Sequence, residues 1–286
     1  MIEHMPKKDV VITAVAGLEW DAIRPFVISL DLTGFTGDKV ILGSGMSSFT
    51  KDVLANRGWT IVETGIKYGP GFVVRDRFRP LLDFLEEHGN KYRYVLWADS
   101  GDQIFQSNPS DWFDKYAAPH NIICAREGWL IKDETRWNDT WVKMALPDDY
   151  DWLREYEVLC GGTVAGDVPT LYKIIKQIYQ EVNIKVPSGG GDQAWLNYFV
   201  RKPFNVYSII PDLNDGWCAT LSSVITENFT SCCGFPKEKI AIAPPVFEPK
   251  GAIVLTPDGR KPFVLVHQYN RDGRWTYAMH TKFREW

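Results

Sequence analysis

Apolar and polar positions along the 286-residue chain alternate between two rhythms. Val10 to Ala16 is a nearly continuous apolar run, which fits a strand covered on both faces. Asp21 to Leu30 follows with helical spacing, and Pro25 lies near its start, where a missing N–H is tolerated. Lys39 to Leu42 and Trp59 to Val62 read as the second and third strands, separated by a short helix that stops at the turn-prone Asn56-Arg57-Gly58. Phe78, Leu81, Leu82 and Leu85 recur at three- and four-residue intervals, so an amphipathic helix enters near Pro80 and stops before Gly89. Tyr92 to Ala98 is the next strand.

Beyond it, Ser110 to Tyr116 is helical by spacing and Asn121 to Ala125 strand-like. Residues 126 to 156 are rich in Trp, Asp and Glu with weak periodicity, which predicts an irregular insertion that could shape a binding surface. Glu157 to Val164 reads as a strand interrupted at Gly161-Gly162. Val168, Leu171, Ile174, Ile175, Ile178 and Val182 trace one face of a helix. Ser188-Gly189-Gly190-Gly191 leads into another helix over Asp192 to Val200, with Asp192 expected as its N-cap. Short strands are expected at Val206 to Ile210, Lys239 to Ala241 and Ala252 to Leu255, the last forming a hairpin with Pro262 to Val266 across Pro257-Asp258-Gly259. Strands alternating with helices define an α/β chain built on a mostly parallel sheet. No repeat, low-complexity tract or linker divides residues 1–286, so a single domain is expected.

Composition narrows function more than fold. The formal net charge of −4 excludes a basic, chain-wide nucleic-acid footprint, and any phosphate must be met locally. The 5 cysteines are odd in number, scattered and without a CxxC pair, which argues against both a zinc site and a disulfide framework. Reduced thiols and a cytoplasmic location are the expectation. No apolar run reaches the roughly 18 to 20 residues of a transmembrane segment, and Met1 to Asp9 lacks the apolar core of a signal peptide. The Asn-x-Thr sequons at Asn138 and Asn228 matter only on a secretory route. The 12 tryptophans would suit sugar rings, although large aromatics more often fill cores.

Position gives the strongest chemical signal. The Tyr92 to Ala98 strand ends in Asp99-Ser100-Gly101-Asp102, and ligands of open parallel sheets gather at the carboxyl ends of strands. Two carboxylates three apart, with Gly101 between, can bend toward one point, and Mg²⁺ or Mn²⁺ takes such hard oxygen donors while phosphate and water complete its shell. An ordinary acidic turn is the plainer reading, disfavoured by the apolar strand before it and the Gln103-Ile104-Phe105-Gln106 run after it. His267, at the end of the Phe263 to Val266 strand, could add an imidazole that Mn²⁺ accepts more readily than Mg²⁺, or could simply bond a nearby carbonyl. The stretch Gly189-Gly190-Gly191-Asp192-Gln193 allows close backbone approach beside a carboxylate able to take a proton, while helix capping alone also accounts for Asp192. Arg77, Arg79 and Arg271 are candidate guanidinium forks for a diphosphate, although surface salt bridging is the commoner fate of such residues.

Leu96-Trp97-Ala98-Asp99-Ser100-Gly101-Asp102-Gln103-Ile104-Phe105-Gln106-Ser107-Asn108-Pro109 resembles the strand-end segment of GT-A glycosyltransferases, whose acidic DxD motif binds a metal and a sugar nucleotide. Here two residues, rather than one, separate the acids. Cys160-Gly161-Gly162-Thr163 is similar to the family's small-residue strand facing the donor sugar. Gly191-Asp192-Gln193-Ala194-Trp195-Leu196-Asn197 is similar to its helix start beside the reacting carbon, and Val266-His267-Gln268-Tyr269 to its late histidine strand.

The resemblance implies a GT-A (Rossmann-like) α/β fold, with a mixed, mostly parallel central sheet flanked by helices. About residues 1–125 would form the nucleotide half and about 126–286 the acceptor half. It implies transfer of a sugar from a nucleoside-diphosphate sugar to a hydroxyl of a glycan or other acceptor, with Mn²⁺ or Mg²⁺ held by Asp99, Asp102 and His267. Donor contacts would come from Ala14, Val15, Asp38, Asp99, Ser100, Gly161, Gly162 and the three arginines, with Asp192 and Gln193 at the reacting carbon. Asp192 would be the general base of an inverting reaction, or the Asp192-Gln193 pair would lie beneath the sugar in a retaining one. Two other readings stay open. A sugar-phosphate nucleotidylyltransferase is disfavoured because Ala16-Gly17-Leu18-Glu19-Trp20 lacks a basic, Gly-rich phosphate loop. A non-catalytic sugar-binding protein would use the tryptophans as platforms and the acids for a structural Ca²⁺.

Overall fold

The apolar runs become the strands of one twisted sheet. The computed structural model describes residues 7–69, 71–119, 121–135, 137–185, 191–202, 207–221, 253–271 and 273–284. Strands β1 (Lys8–Ala16), β2 (Asp38–Ser44), β3 (Trp59–Glu63) and β4 (Tyr92–Ala98) pair in parallel in the order β3-β2-β1-β4. After β5 (Gln103–Phe105) come β6 (Asn121–Leu130), β7 (Glu157–Asp167) and β8 (Tyr207–Ile209), which extend the sheet as β4-β7-β6-β8. Only β7 runs against the rest, antiparallel to both β4 and β6.

Helices α1 (Trp20–Leu32), α2 (Ser48–Asn56), α3 (Phe78–His88), α4 (Pro109–Tyr116), α5 (Asn138–Ala145), α6 (Tyr150–Leu153), α7 (Val168–Lys185) and α8 (Gly191–Arg201) connect the strands. Because successive strand side chains point to opposite faces, β4 divides its apolar residues between two cores. Val95 and Trp97 join Leu81, Leu85, Ile174 and Ile178 on the α3 and α7 side, while Leu96 and Ala98 join Phe26, Leu30 and Phe113 on the α1 and α4 side. Pro25 is accommodated within the first turns of α1.

The 126–156 stretch corrects an expectation. It is not irregular: β6 continues to Leu130, and α5 and α6 follow. Short, aromatic-rich helices of one to two turns have too few residues for periodicity to show. Nor do Gly161 and Gly162 interrupt β7, which is assigned through both. The register against β6 slips there instead, from Cys124↔Val164 to Arg126↔Leu159. The backbone of Leu159 is served by Asn197, whose Oδ1 accepts its N–H and whose Nδ2 donates to its carbonyl, both at 2.9 Å. The hairpin expected across Pro257-Asp258-Gly259 is present as a Leu255↔Pro262 bridge, whereas the expected Lys239 to Ala241 strand lies outside the described residues. Cys124, Cys160 and Cys218 are buried free thiols, and Cys232 and Cys233 lie outside the described residues. Among the described residues, no helix is long and apolar enough to cross a membrane.

Candidate functional site

A second, three-stranded sheet assembles the acidic turn with the histidine. β5 begins one residue after Asp102 and pairs antiparallel with β10 (Leu265–His267), which is parallel to β9 (Cys218–Thr220). That register sets His267 opposite Gln103 and brings its Nε2 to 3.4 Å from Asp102 Oδ1. Gln268, the only non-glycine with positive φ among the described residues, turns the chain at +61° and donates its N–H to the Asp102 carbonyl at 2.7 Å. Such a backbone costs about 1 kcal/mol or more, and it persists because the structure around it over-determines it. On the other side, Gly162 O accepts from Asp99 N at 3.0 Å and from Gln103 Nε2, so both ends of the turn are latched to β7.

One ligand atom from each of Asp99, Asp102 and His267 falls within a 4.8 Å group. Two carboxylates and one imidazole form a hard, mixed O/N donor set that suits Mn²⁺ or Mg²⁺. Ser100 Oγ, Gln268 Oε1 and Tyr269 Oη, on the same segments, are buried with no hydrogen-bond partner among the described residues, as expected around a polar ligand. Gly162 forms one wall of the group. A Cβ there would stand 2.6 Å from Asp99 Oδ2 and 2.7 Å from His267 Cε1, closer than side chains tolerate.

The electrostatics separate the three groups. Burial lifts the Asp99 carboxyl above its usual range, against the pull of Arg77. Burial also acts on Asp102, but His267, Arg271 and Arg77 outweigh it and hold that carboxyl low, so Asp102 keeps its charge to lower pH. For His267, burial disfavours the imidazolium, and the adjoining Cys160 sulfur together with the Asp102 carboxylate more than reverses this, leaving the pKa well above the ordinary value. Cys160 lies 3.3 Å from His267 Nδ1, and burial pushes its thiol up to about 12, with His267 opposing. His267 thus presents Nδ1 to that sulfur and Nε2 to the acids.

Behind the turn, Arg77 joins two carboxylates. Its guanidinium donates to Asp99 Oδ1 at 2.7 Å and to Asp192 Oδ2 at 2.6 Å. Asp192 is in the first turn of α8, which begins at Gly191, so it is not the N-cap that was expected, and its carboxylate is engaged by Arg77. Burial raises its pKa, with Arg77 opposing. Arg77 itself, expected as a diphosphate fork, is buried between these acids. Gln193 accepts from Gly161 N–H at 2.8 Å and donates to Asn138 Oδ1 at 2.8 Å and to Glu127 Oε1 at 3.3 Å.

Glu127 was absent from the expected site. Burial pushes its carboxyl up to about 7, which brings it into the range where a carboxyl can take or give a proton near neutrality. The adjacent charges Arg126 and Glu127, following the apolar run Ile122 to Ala125, were the available signal.

The other expected donor contacts divide. Ala14 and Val15 end β1 on the carboxyl side of the sheet, Val15 with its side chain buried. Arg271 is exposed yet close enough to lower the Asp102 pKa. Asp38 is not brought to the site: it opens β2, at the opposite end of the strand, and bonds Lys8 Nζ and Tyr92 Oη at 3.1 Å. Nor is Arg79, whose exposed side chain pairs with Asp83 one helical turn on. Gly189 and Gly190 lie outside the described residues.

No protein-family profile matches this chain, and no curated protein matches it in sequence. Its fold is that of the GT-A glycosyltransferases. Bifunctional glycosyltransferase WbbM, in its apo form, superposes with a TM-score of 0.55 at 13% identity, over 93% of this chain and 46% of that one. The galactosyltransferase LgtC, in complex with donor and acceptor sugar analogs, gives 0.53 at 12% identity over 96% of this chain and 95% of its own. An active-site mutant of LgtC gives 0.53 at 13% identity over the same shares. This chain thus spans about half of WbbM and nearly all of LgtC, and the likeness is one of fold.

Proposed function

We propose that this protein is a metal-dependent glycosyltransferase that moves a sugar from a nucleoside-diphosphate sugar to a hydroxyl of a glycan or other acceptor. The observation carrying this reading is the convergence of Asp99, Asp102 and His267 against Gly162, with Gln193 bonded to the adjacent Gly161. It gains support from the sugar analogs bound in LgtC.

In this reading Asp99, Asp102 and His267 hold Mn²⁺ or Mg²⁺, which supplies charge neutralisation for a departing diphosphate. Gly161 and Gly162 give the donor sugar room that a side chain would close. Arg77 keeps Asp99 and Asp192 at fixed separation, and because Asp192 is bound to a guanidinium it serves better as a fixed charge than as a free base. The Gln193 amide then lies beside the reacting carbon, the arrangement expected of a retaining reaction.

A purely sugar-binding role fits less well. Trp97, Trp112, Trp195, Trp217 and Trp275 are buried, so they fill the core and do not stack on ligands.

The test is release of nucleoside diphosphate from a panel of sugar nucleotides with Mn²⁺ or Mg²⁺, beside Asp102→Asn. Metal-dependent release by the wild type, falling about 10²-fold or more in the variant, is the expected result. Pyrophosphate release from a nucleoside triphosphate and a sugar 1-phosphate would establish the nucleotidylyltransferase, and metal-dependent sugar binding without turnover the non-catalytic protein.

A further inference from the structure

The two ends of the Gln193 amide are alike in shape and opposite in chemistry, so its neighbours decide which end faces the Gly161-Gly162 strand. The decision begins at Glu134, which is 5% exposed. Its Oε2 accepts from the backbone N–H groups of Trp137 at 3.1 Å and Asn138 at 2.6 Å, and from Asn138 Nδ2 at 3.0 Å. A carboxylate held by three donors is an acceptor only, so Asn138 must turn its NH₂ toward it and its carbonyl away. That carbonyl, on a residue 4% exposed, accepts from Gln193 Nε2 at 2.8 Å, and Glu127 Oε1 lies 3.3 Å from the same nitrogen. The Gln193 oxygen is thereby left to face Gly161, whose N–H it accepts at 2.8 Å. Each orientation forces the next, across three elements.

We propose that Glu134 and Asn138 are positioning residues that fix the orientation of the Gln193 amide, holding its carbonyl oxygen on the side of the donor sugar. This rests on the reading of Gln193 as the residue beside the reacting carbon. One lone pair of that oxygen is taken by Gly161, and the second, which has no partner among the described residues, can face the positive charge that grows at the anomeric carbon. Flipping the amide would cost no space but would present N–H donors there, reversing the sign of the field. The burial of Asn138 also removes its sequon from any surface role, and Asn228 lies outside the described residues.

The experiment follows the Gln193 side-chain NH₂ signals in ¹⁵N-labelled protein, assigned by their loss in Gln193→Glu, alongside steady-state kinetics. In Asn138→Ala and Glu134→Ala the NH₂ exchange rate is expected to rise about tenfold or more, and kcat to fall about 10²-fold with KM for the donor changed less than about twofold. Glu134→Gln should recover most of both losses, because the Trp137 and Asn138 backbone N–H groups still demand an oxygen at the same place. A merely structural role would lower Tm without this split or this rescue, and so would overturn the proposal, as would Gln193 NH₂ exchange left unchanged by Asn138→Ala. Asn138→Ser, too short to reach Gln193, carries the same expectation if Asn138→Ala fails to fold. Exchange that responds as expected in a protein turning over no sugar nucleotide would uphold the relay and remove the glycosyltransferase reading instead.

Discussion

At Gly162 the tolerance of the site is set by a single missing atom. Replacing its hydrogen with a methyl group places carbon 2.6 Å from Asp99 Oδ2 and 2.7 Å from His267 Cε1, and neither neighbour is a loose chain end. Asp99 is held by Arg77, and His267 is pinned by Cys160 and the β5–β10 pairing. Gly162→Ala should therefore spread the proposed cation site while leaving the sheet in place, lowering Mn²⁺ affinity about tenfold or more, as other small displacements at metal sites do. Titration calorimetry with Mn²⁺ reads this directly, and unaltered affinity would remove Gly162 from the wall of the site. Asp99, Asp102 and His267 were legible as single residues because an acid pair directly after an apolar strand, and a histidine ending another, are unusual by themselves. Arg77 was found with the wrong partner, since sequence shows a cation's presence but not which buried acids surround it. Glu134 carried no signal and Asn138 only a sequon, because their meaning is a chain of hydrogen bonds between residues up to 59 positions apart in sequence, Glu134 at one end and Gln193 at the other.

Among elements, β7 and α8 do the positioning. Where β7 slips register beside Gly161 and Gly162, its ladder with β6 is incomplete, and the Asn197 side chain substitutes for a strand by pairing both the N–H and the C=O of Leu159. Because Asn197 is one helical turn after Gln193, this contact also fixes the azimuth of α8 against the site. Asn197→Leu removes donor and acceptor together and leaves two buried backbone groups unpaired, at about 1–3 kcal/mol each. Urea denaturation should show a loss of about 2–6 kcal/mol, and a loss below about 1 kcal/mol would mean that water satisfies Leu159. The long elements were legible: the runs in β1 and β4 and the stripes of α3 and α7 match their sequence patterns to within a few residues. β9, three residues long, was not, nor were α5 and α6, because pairing and packing rather than local pattern hold such short pieces.

Across the whole molecule, a metal held as proposed would compete with the proton for His267. The imidazole pKa lies well above the ordinary value because the neighbouring Cys160 sulfur and the Asp102 carboxylate together outweigh the cost of burial. A histidine raised in this way binds its proton more tightly folded than unfolded, so its contribution to stability is full at low pH and is lost as pH rises through the folded pKa. Metal binding runs the other way. Nε2 can be a ligand only after losing the proton, so affinity climbs with pH over that same window and then levels off. A cation at 100 times its dissociation constant stabilises the fold by about 2.7 kcal/mol, worth several degrees of Tm for a chain of this size. The rise in Tm on adding Mn²⁺ should accordingly be larger at about pH 8 than at about pH 6, and Asp102→Asn should abolish most of it at both. Equal shifts at the two pH values in the wild type would show that His267 is not a ligand and that the carboxylates bind alone. A shift that Asp102→Asn leaves intact would place the cation outside this turn and take with it the proposed role of the acidic strand end.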